Sequence, residues 1–353
     1  MRGTLYNTIC NIICKLNDLL WGYGTILLIL GAGVFFTFRI KCFNIIHIVH
    51  IVKVTLFGKK GAVDKNKKGK ISQFQALSTA LAASMGTGNI IGVAAAISMG
   101  GPGAVFWMWV SAIFGTATGF VENVIGAKYQ KCGASPMSYI SCGLGSVKAA
   151  SVYAGVCALA AFGIGNMTQA NAVSAAMGEF GMSPLLSGVV TALFCGAVIF
   201  GGGKKVASAS EKLVPFAALF YLSGAIFVIA LFGKDVADIL KLILGSAMGY
   251  SQVAGGICGA VLKKSVTVGL RRGIFSNEAG MGSSVLVHTE TECGEPVQMG
   301  MWAVVEVLID TLICCTATAF VILLTGADGS GAEGLGMVTE AFRYGLGEFA
   351  VVF

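Results

Sequence analysis

Long apolar runs separated by short polar segments organise this chain. Residues 19–38 (LLWGYGTILLILGAGVFFTF) hold twenty positions without a charge, enough to cross a hydrocarbon core of about 30 Å at about 1.5 Å per residue. Comparable runs recur near 73–99, 102–121, 149–177, 184–202, 213–233, 242–262 and 311–327. None alternates with the period of two that marks a strand, and in lipid a helix satisfies its own backbone. The pattern predicts an all-α polytopic membrane protein.

Composition agrees. Of 353 residues 56% are apolar and 12% are charged, against about 25% charged in an ordinary soluble domain, so a polar shell cannot be built. The +7 net charge invites a nucleic-acid partner, but its placement argues for a bilayer instead. Lys59, Lys60, Lys65, Lys67, Lys68 and Lys70 share one hydrophilic segment; Lys128, Lys131 and Lys148 occupy a second. Lys204, Lys205 and Lys212 fall in a third, and Lys263, Lys264, Arg271 and Arg272 in a fourth. Segments such as 178–183, with only Glu179, lie between them. This alternation predicts that all four basic groups face the cytoplasm, with the N-terminus outside. The N-terminal run is interrupted by Lys15 and Asp18 and shows no convincing cleavage site, so no removable signal is expected. Eleven cysteines without a C-x-x-C pair read as small buried hydrophobes, and three scattered histidines form no ligand set.

With 50 glycines and 5 prolines, close helix packing is expected, as at Gly115–Gly119 and Gly255–Gly259. Two glycine clusters differ because polar residues accompany them. Ser84-Met85-Gly86-Thr87-Gly88-Asn89 sits mid-way in 73–99, a run of about 40 Å if straight and so with length to spare. Gly-Thr-Gly-Asn is poor helix interior. A break here frees the amides of Thr87, Gly88 and Asn89 for a carboxylate, and the carbonyls of 82–85 for a cation. A continuous helix with a glycine groove is the alternative. A dinucleotide loop is excluded: the third glycine, Gly92, is wrongly spaced and no strand precedes. The second cluster runs from Arg272 through Ser276, Asn277 and Glu278 to Ser284. It reads as a second break or as a closing gate, and the neighbouring basic residues favour a cytoplasmic gate.

Ionisable groups in apolar runs mark function, because burying them in lipid is costly. These are Glu122, Glu306 and Asp310, the last two sharing a helix face. Thr311, Thr316 and Thr318 follow and offer hydroxyl oxygens to a hard cation, or else bond back to their own helix. Asn166 and Gln169, three apart, share a face and either point into one cavity or join helices.

The run GGPGAVFWMWVSAIFG at 100–115 resembles the signature of the alanine or glycine:cation symporter family, the sodium:alanine symporters. Gly86-Thr-Gly-Asn89, Gly163-Ile-Gly-Asn-Met167 with Gln169, 272–280 (RGIFSNEAG), Asp310-Thr311 and Cys315-Thr316 match it as well. The resemblance covers 19–353. It implies a leucine-transporter-like inverted repeat of the amino acid–polyamine–cation superfamily, preceded by one extra N-terminal helix. Residues 1–72 would hold that helix and a basic cytoplasmic loop. Residues 73–353 would form the core, with a first repeat about 73–233 and a partial second about 236–353. The family is commonly longer, and this chain ends in an apolar stretch (GEFAVVF), so a C-terminally shortened second repeat is expected.

The implied function is sodium-coupled symport of alanine or glycine across the plasma membrane, the cell membrane of a bacterium, with no cofactor beyond the coupling ion. The substrate carboxylate would meet Thr87, Gly88 and Asn89, with Gln169 and Asn166 as side-chain contacts. Sodium would lie among Ala82, Met85, Asn89, Thr311 and Thr316. Proton coupling through Glu306 or Asp310 in the same fold is the alternative. A membrane enzyme lacks a catalytic cluster here, and a channel would not saturate or select between stereoisomers.

Overall fold

The computed structural model describes residues 2–58, 71–163, 166–249, 257–291 and 295–352. The expected basic segment 59–70 and Gly255 of the proposed packing pair lie outside them. The described residues contain helices and no named strand, only a single parallel bridge between Ile71 and Thr291. The described residues before 72 hold four helices, α1 (Arg2–Leu20), α2 (Tyr23–Arg39), α3 (Phe43–Ile46) and α4 (Ile48–Leu56), where a single helix was expected. The 19–38 run is divided by a bend at Trp21 and Gly22.

Next come α5 (Gln73–Ser84), α6 (Ile91–Gly100), α7 (Gly103–Lys128), α8 (Pro136–Gly143), α9 (Val147–Gly163) and α10 (Met167–Glu179). They are followed by α11 (Pro184–Ile199), α12 (Gly202–Leu231), α13 (Val236–Ala247) and α14 (Ile257–Asn277). The chain continues with α15 (Ser283–His288), α16 (Pro296–Val307), a π-helical stretch (Leu308–Cys315), α17 (Thr316–Thr325) and α18 (Leu335–Leu346). The boundaries follow local chemistry. Ser72 and Gln75 form a reciprocal capping box at the start of α5, and Ser183-Pro184 starts α11 with a side-chain cap and a proline in the first turn.

Among the described residues, four stretches are long and apolar enough to cross a bilayer: Gly103–Lys128, Val147–Glu179, Gly202–Leu231 and Pro296–Thr325. The first and last are mostly buried and form the centre, whereas the other two are peripheral. Their outward residues, such as Leu159 (74% exposed), Phe162 (77%) and Phe216 (70%), present hydrocarbon, which suits lipid and not water. Of the expected 242–262 span, residues 250–256 lie outside the described residues; α13 ends before them and α14 begins after them.

α14 and α16 pack along α7 through glycine. A Cβ on Gly300 would stand 2.7 Å from Val124 Cγ2 and 2.8 Å from the Phe120 carbonyl oxygen. α13 approaches the start of α7 the same way, a Cβ on Gly103 lying 2.6 Å from the Ala247 amide nitrogen. All three values are below any ordinary contact, so only glycine admits these approaches.

These contacts also fix direction. Ser265 and Val268 lie against Gly100, and Gly269 against Ala104; Val285 and Thr289 lie against Gly126. Gln130 donates to the Thr289 and Thr291 carbonyls. α14 therefore runs alongside α7 in the same sense, with Lys263, Lys264, Arg271 and Arg272 toward the end away from Lys128 and Lys131. The expectation that all four basic groups share one membrane face is thereby overturned. These four basic residues lie within α14 and not in a loop, so the loop-charge rule does not apply to them.

Candidate functional site

The helix expected over 73–99 is interrupted. α5 ends at Ser84, Met85 is extended (φ −74, ψ 112), and α6 begins at Ile91. Residues 86–90 turn, with the Asn89 amide donating to the Gly86 carbonyl at 3.2 Å and the Gly92 amide to the Thr87 carbonyl at 2.8 Å. The Asn89 amide is thus already used. Those of Thr87 and Gly88 donate to no backbone carbonyl among the described residues.

A second interruption lies beside the first. α14 stops at Asn277, whose side-chain oxygen accepts from the Ala279 amide at 3.1 Å and diverts the chain. Glu278 (φ 49), Gly280 (φ 89) and Gly282 (φ 85) then turn through left-handed conformations before α15. Glu122 holds this loop, its Oε2 accepting from the Gly280 amide at 3.1 Å. Gly88 faces both the Ser84 carbonyl and the Ser276 backbone, at 3.8 and 3.9 Å from its Cβ position.

Between the breaks sits a buried oxygen cluster. Asn89 Nδ2 donates to both the carbonyl oxygen and Oδ1 of Asp310, each at 2.8 Å. Ser276 Oγ and Thr311 Oγ1 donate to Asp310 Oδ2, also at 2.8 Å. Asn89, Ser276, Asp310 and Thr311 are all buried. Asn89 Oδ1 is buried without a hydrogen-bond partner, an acceptor left open next to a carboxylate. Asp310 and Thr311 belong to the π-helical stretch, whose wider turn leaves main-chain geometry distinct from the flanking helices, a common device at functional sites.

Thr316 is elsewhere: its hydroxyl accepts from Trp109 Nε1 at 2.8 Å. Ala82 lies on an exposed face within α5. The shared face expected for Glu306 and Asp310 does not unite their contacts, since Glu306 accepts from Ser284 at 2.6 Å and lies 3.3 Å from His288 Nε2.

On the other side of the first break is a cavity of about 400 Å³ lined by Gly86, Thr87, Gln169, Val338, Thr339 and Phe342, among others. Gln169 reaches Gly86 so closely that a Cβ there would stand 2.6 Å from Nε2 and 2.8 Å from Oε1. Asn166 does not join it. It stands exposed at the N-cap position of α10 and donates back to the Ala161 carbonyl at 2.8 Å, away from the cavity that Gln169 lines. An exposed ion pair, Arg343 to Glu179 at 3.5 Å, links α18 to α10 near this cavity.

Two helix breaks flanking a buried set of oxygen ligands, with an adjoining cavity, suit a carrier of a cation and a small solute. The model of the sodium:alanine symporter family matches residues 6–353. The chain belongs to that family. The match reaches the end of the chain and gives no support to the expected truncation. Sodium/alanine symporter AgcS of Methanococcus maripaludis is 38% identical over 327 residues, covering 90% of this chain and 71% of that protein. The probable sodium/glutamine symporter GlnT of Bacillus subtilis is 38% identical over 344 residues, covering 96% and 70%. An uncharacterized transporter of Haemophilus influenzae is 39% identical over 350 residues, covering 96% and 75%. The family is one of membrane transporters that move amino acids with sodium, and not of enzymes.

Sequence reasoning placed Asn89 and Thr311 at the cation site but assigned neither Asp310 nor Ser276 to it. Both stood out as polar residues in apolar runs. Their union across 34 positions could not be seen along the chain.

Proposed function

We propose that this protein carries a small neutral amino acid, alanine or glycine, inward with sodium across the plasma membrane. The carrying observation is the buried group of Asn89, Ser276, Asp310 and Thr311 with its open Asn89 Oδ1. Hard monovalent cations take such oxygen ligands, by the reasoning that applies to other hard ions. A carboxylate at the core of the set supplies the charge that offsets cation desolvation.

The amino acid enters the cavity of Gly86, Thr87 and Gln169, its carboxylate on the Thr87 and Gly88 amides and a polar group against Gln169. The free amides at a helix start favour an anion there. The scaffold is a leucine-transporter-like inverted repeat, in which α5/α6 and α14/α15 are its two broken helices. The end carrying Lys128 and Lys131 faces the cytoplasm. Rocking about the two joints exposes the site to one side and then the other.

One charge moving through 100 mV contributes about 2.3 kcal/mol, and a tenfold sodium gradient about 1.4 kcal/mol. Together they sustain an accumulation on the order of a few hundred-fold per sodium. Competition against labelled alanine uptake in proteoliposomes tests the substrate: alanine and glycine should compete, glutamine weakly. Stronger competition by glutamine refutes the small-substrate assignment.

Proton coupling is a second reading, favoured by the buried His288–Glu306 contact at 3.3 Å. Alanine uptake driven by a pH gradient without sodium would select it.

A further inference from the structure

α14 carries a basic stripe that the transport site does not use. Lys263, Thr267 and Arg271 recur every four residues and so lie on one face, turned toward the joint between α1 and α2. Lys263 Nζ stands 5.1 Å from the centre of the Tyr23 ring. Arg271 and Arg272 line an open-sided cavity of about 350 Å³ with Asn17, Trp21, Met99 and Phe275. Among the described residues neither guanidinium pairs with a carboxylate, and Arg271 Nε is buried without a hydrogen-bond partner.

Two guanidiniums in a wall of tryptophan, methionine and phenylalanine are costly unless an anion answers them. Their planar forks match phosphate oxygens two at a time, which a lysine cannot do. The surroundings identify where that anion comes from. Tyr23, Leu27 and Leu28 of α2 are 53%, 69% and 71% exposed, and Met99 is 40% exposed, so apolar surface fit for acyl chains continues from the cavity. Trp21 and Tyr23 beside it suit the headgroup level, where aromatic side chains concentrate.

We propose that the Arg271–Arg272 cavity binds the phosphate of an anionic phospholipid at the bundle end opposite Lys128. The site is separate from the Asn89–Asp310 cluster, and its occupancy is read without transport. The purified full chain is titrated with phosphatidylglycerol, with phosphatidylcholine and with inorganic phosphate, and bound lipid is counted by native mass spectrometry. The wild type should bind phosphatidylglycerol at least tenfold more tightly than phosphatidylcholine, and Arg271→Gln/Arg272→Gln should abolish that preference. Should the double variant fail to fold, Arg271→Gln and Arg272→Gln singly should each weaken the preference by about threefold. An unchanged preference in these variants overturns the proposal. So does inorganic phosphate displacing phosphatidylglycerol at equal concentration, which would make the site one for the free ion.

Discussion

Replacing Asp310 by Asn tests whether the buried carboxylate holds the coupling ion. The substitution keeps the shape and, with the amide oxygen in the Oδ1 place, the acceptor for Asn89 Nδ2; the Ser276 and Thr311 hydroxyls, 2.8 Å from Oδ2, turn to accept from the new amide group, so the main loss is the charge. A unit charge about 4 Å from a cation contributes about 4 kcal/mol at an effective dielectric of about 20. The amide oxygen returns about 1 kcal/mol of that as a neutral contact, leaving about 3 kcal/mol, or roughly a hundredfold in affinity. Asp310 is fully buried, so salt screens little of this interaction. Asp310→Asn should therefore raise the sodium concentration for half-maximal alanine uptake roughly a hundredfold, with the protein still folded by size-exclusion profile. A half-saturation within about threefold of wild type, in protein that elutes normally, would refute the assignment of Asp310 as a cation ligand.

Three further substitutions separate the parts of the account. Thr316→Val should leave sodium half-saturation unchanged, because its hydroxyl is engaged by Trp109; a large loss of sodium affinity would return Thr316 to the cation site. Gly86→Ala places a methyl group against the Gln169 amide and should raise the alanine half-saturation about tenfold, the loss of one hydrogen bond to a charged group, while sodium affinity holds. Equal effects on both would show that the cavity and the cation cluster are not separate. Gly300→Val forces side-chain atoms into Val124 and Phe120 and should cost about 1–3 kcal/mol of overpacking, seen as a lower melting temperature in detergent. An unchanged melt would mean the α7–α16 seam is looser than drawn.

The membrane architecture and the first helix break were legible because both are local. Apolar run length needs no tertiary information, and Gly86-Thr-Gly-Asn89 carries its own poor helix propensity. The oxygen cluster was half legible. Asn89 and Asp310 each announced themselves as polar groups in apolar surroundings, yet they meet across 221 positions. The π-helical stretch had no side-chain signal, so spacing could not tell that Glu306 and Asp310 take different hydrogen-bond partners. Thr316 looked like Thr311 in sequence and differs only because Trp109 reaches it from another helix. The basic residues of α14 misled for a physical reason: they sit part-way along a helix packed in parallel with α7, not in a loop, so loop-charge logic did not apply to them. Their nearness to 276–278 had favoured a cytoplasmic gate; instead Ser276 is buried on Asp310.

The central claim is that this chain moves a small amino acid coupled to sodium, and labelled alanine uptake into proteoliposomes of the purified chain tests it most directly. With an inward sodium gradient the account predicts concentrative, saturable uptake that collapses when potassium replaces sodium. Uptake that is absent in sodium, or equal with and without the gradient, would contradict it.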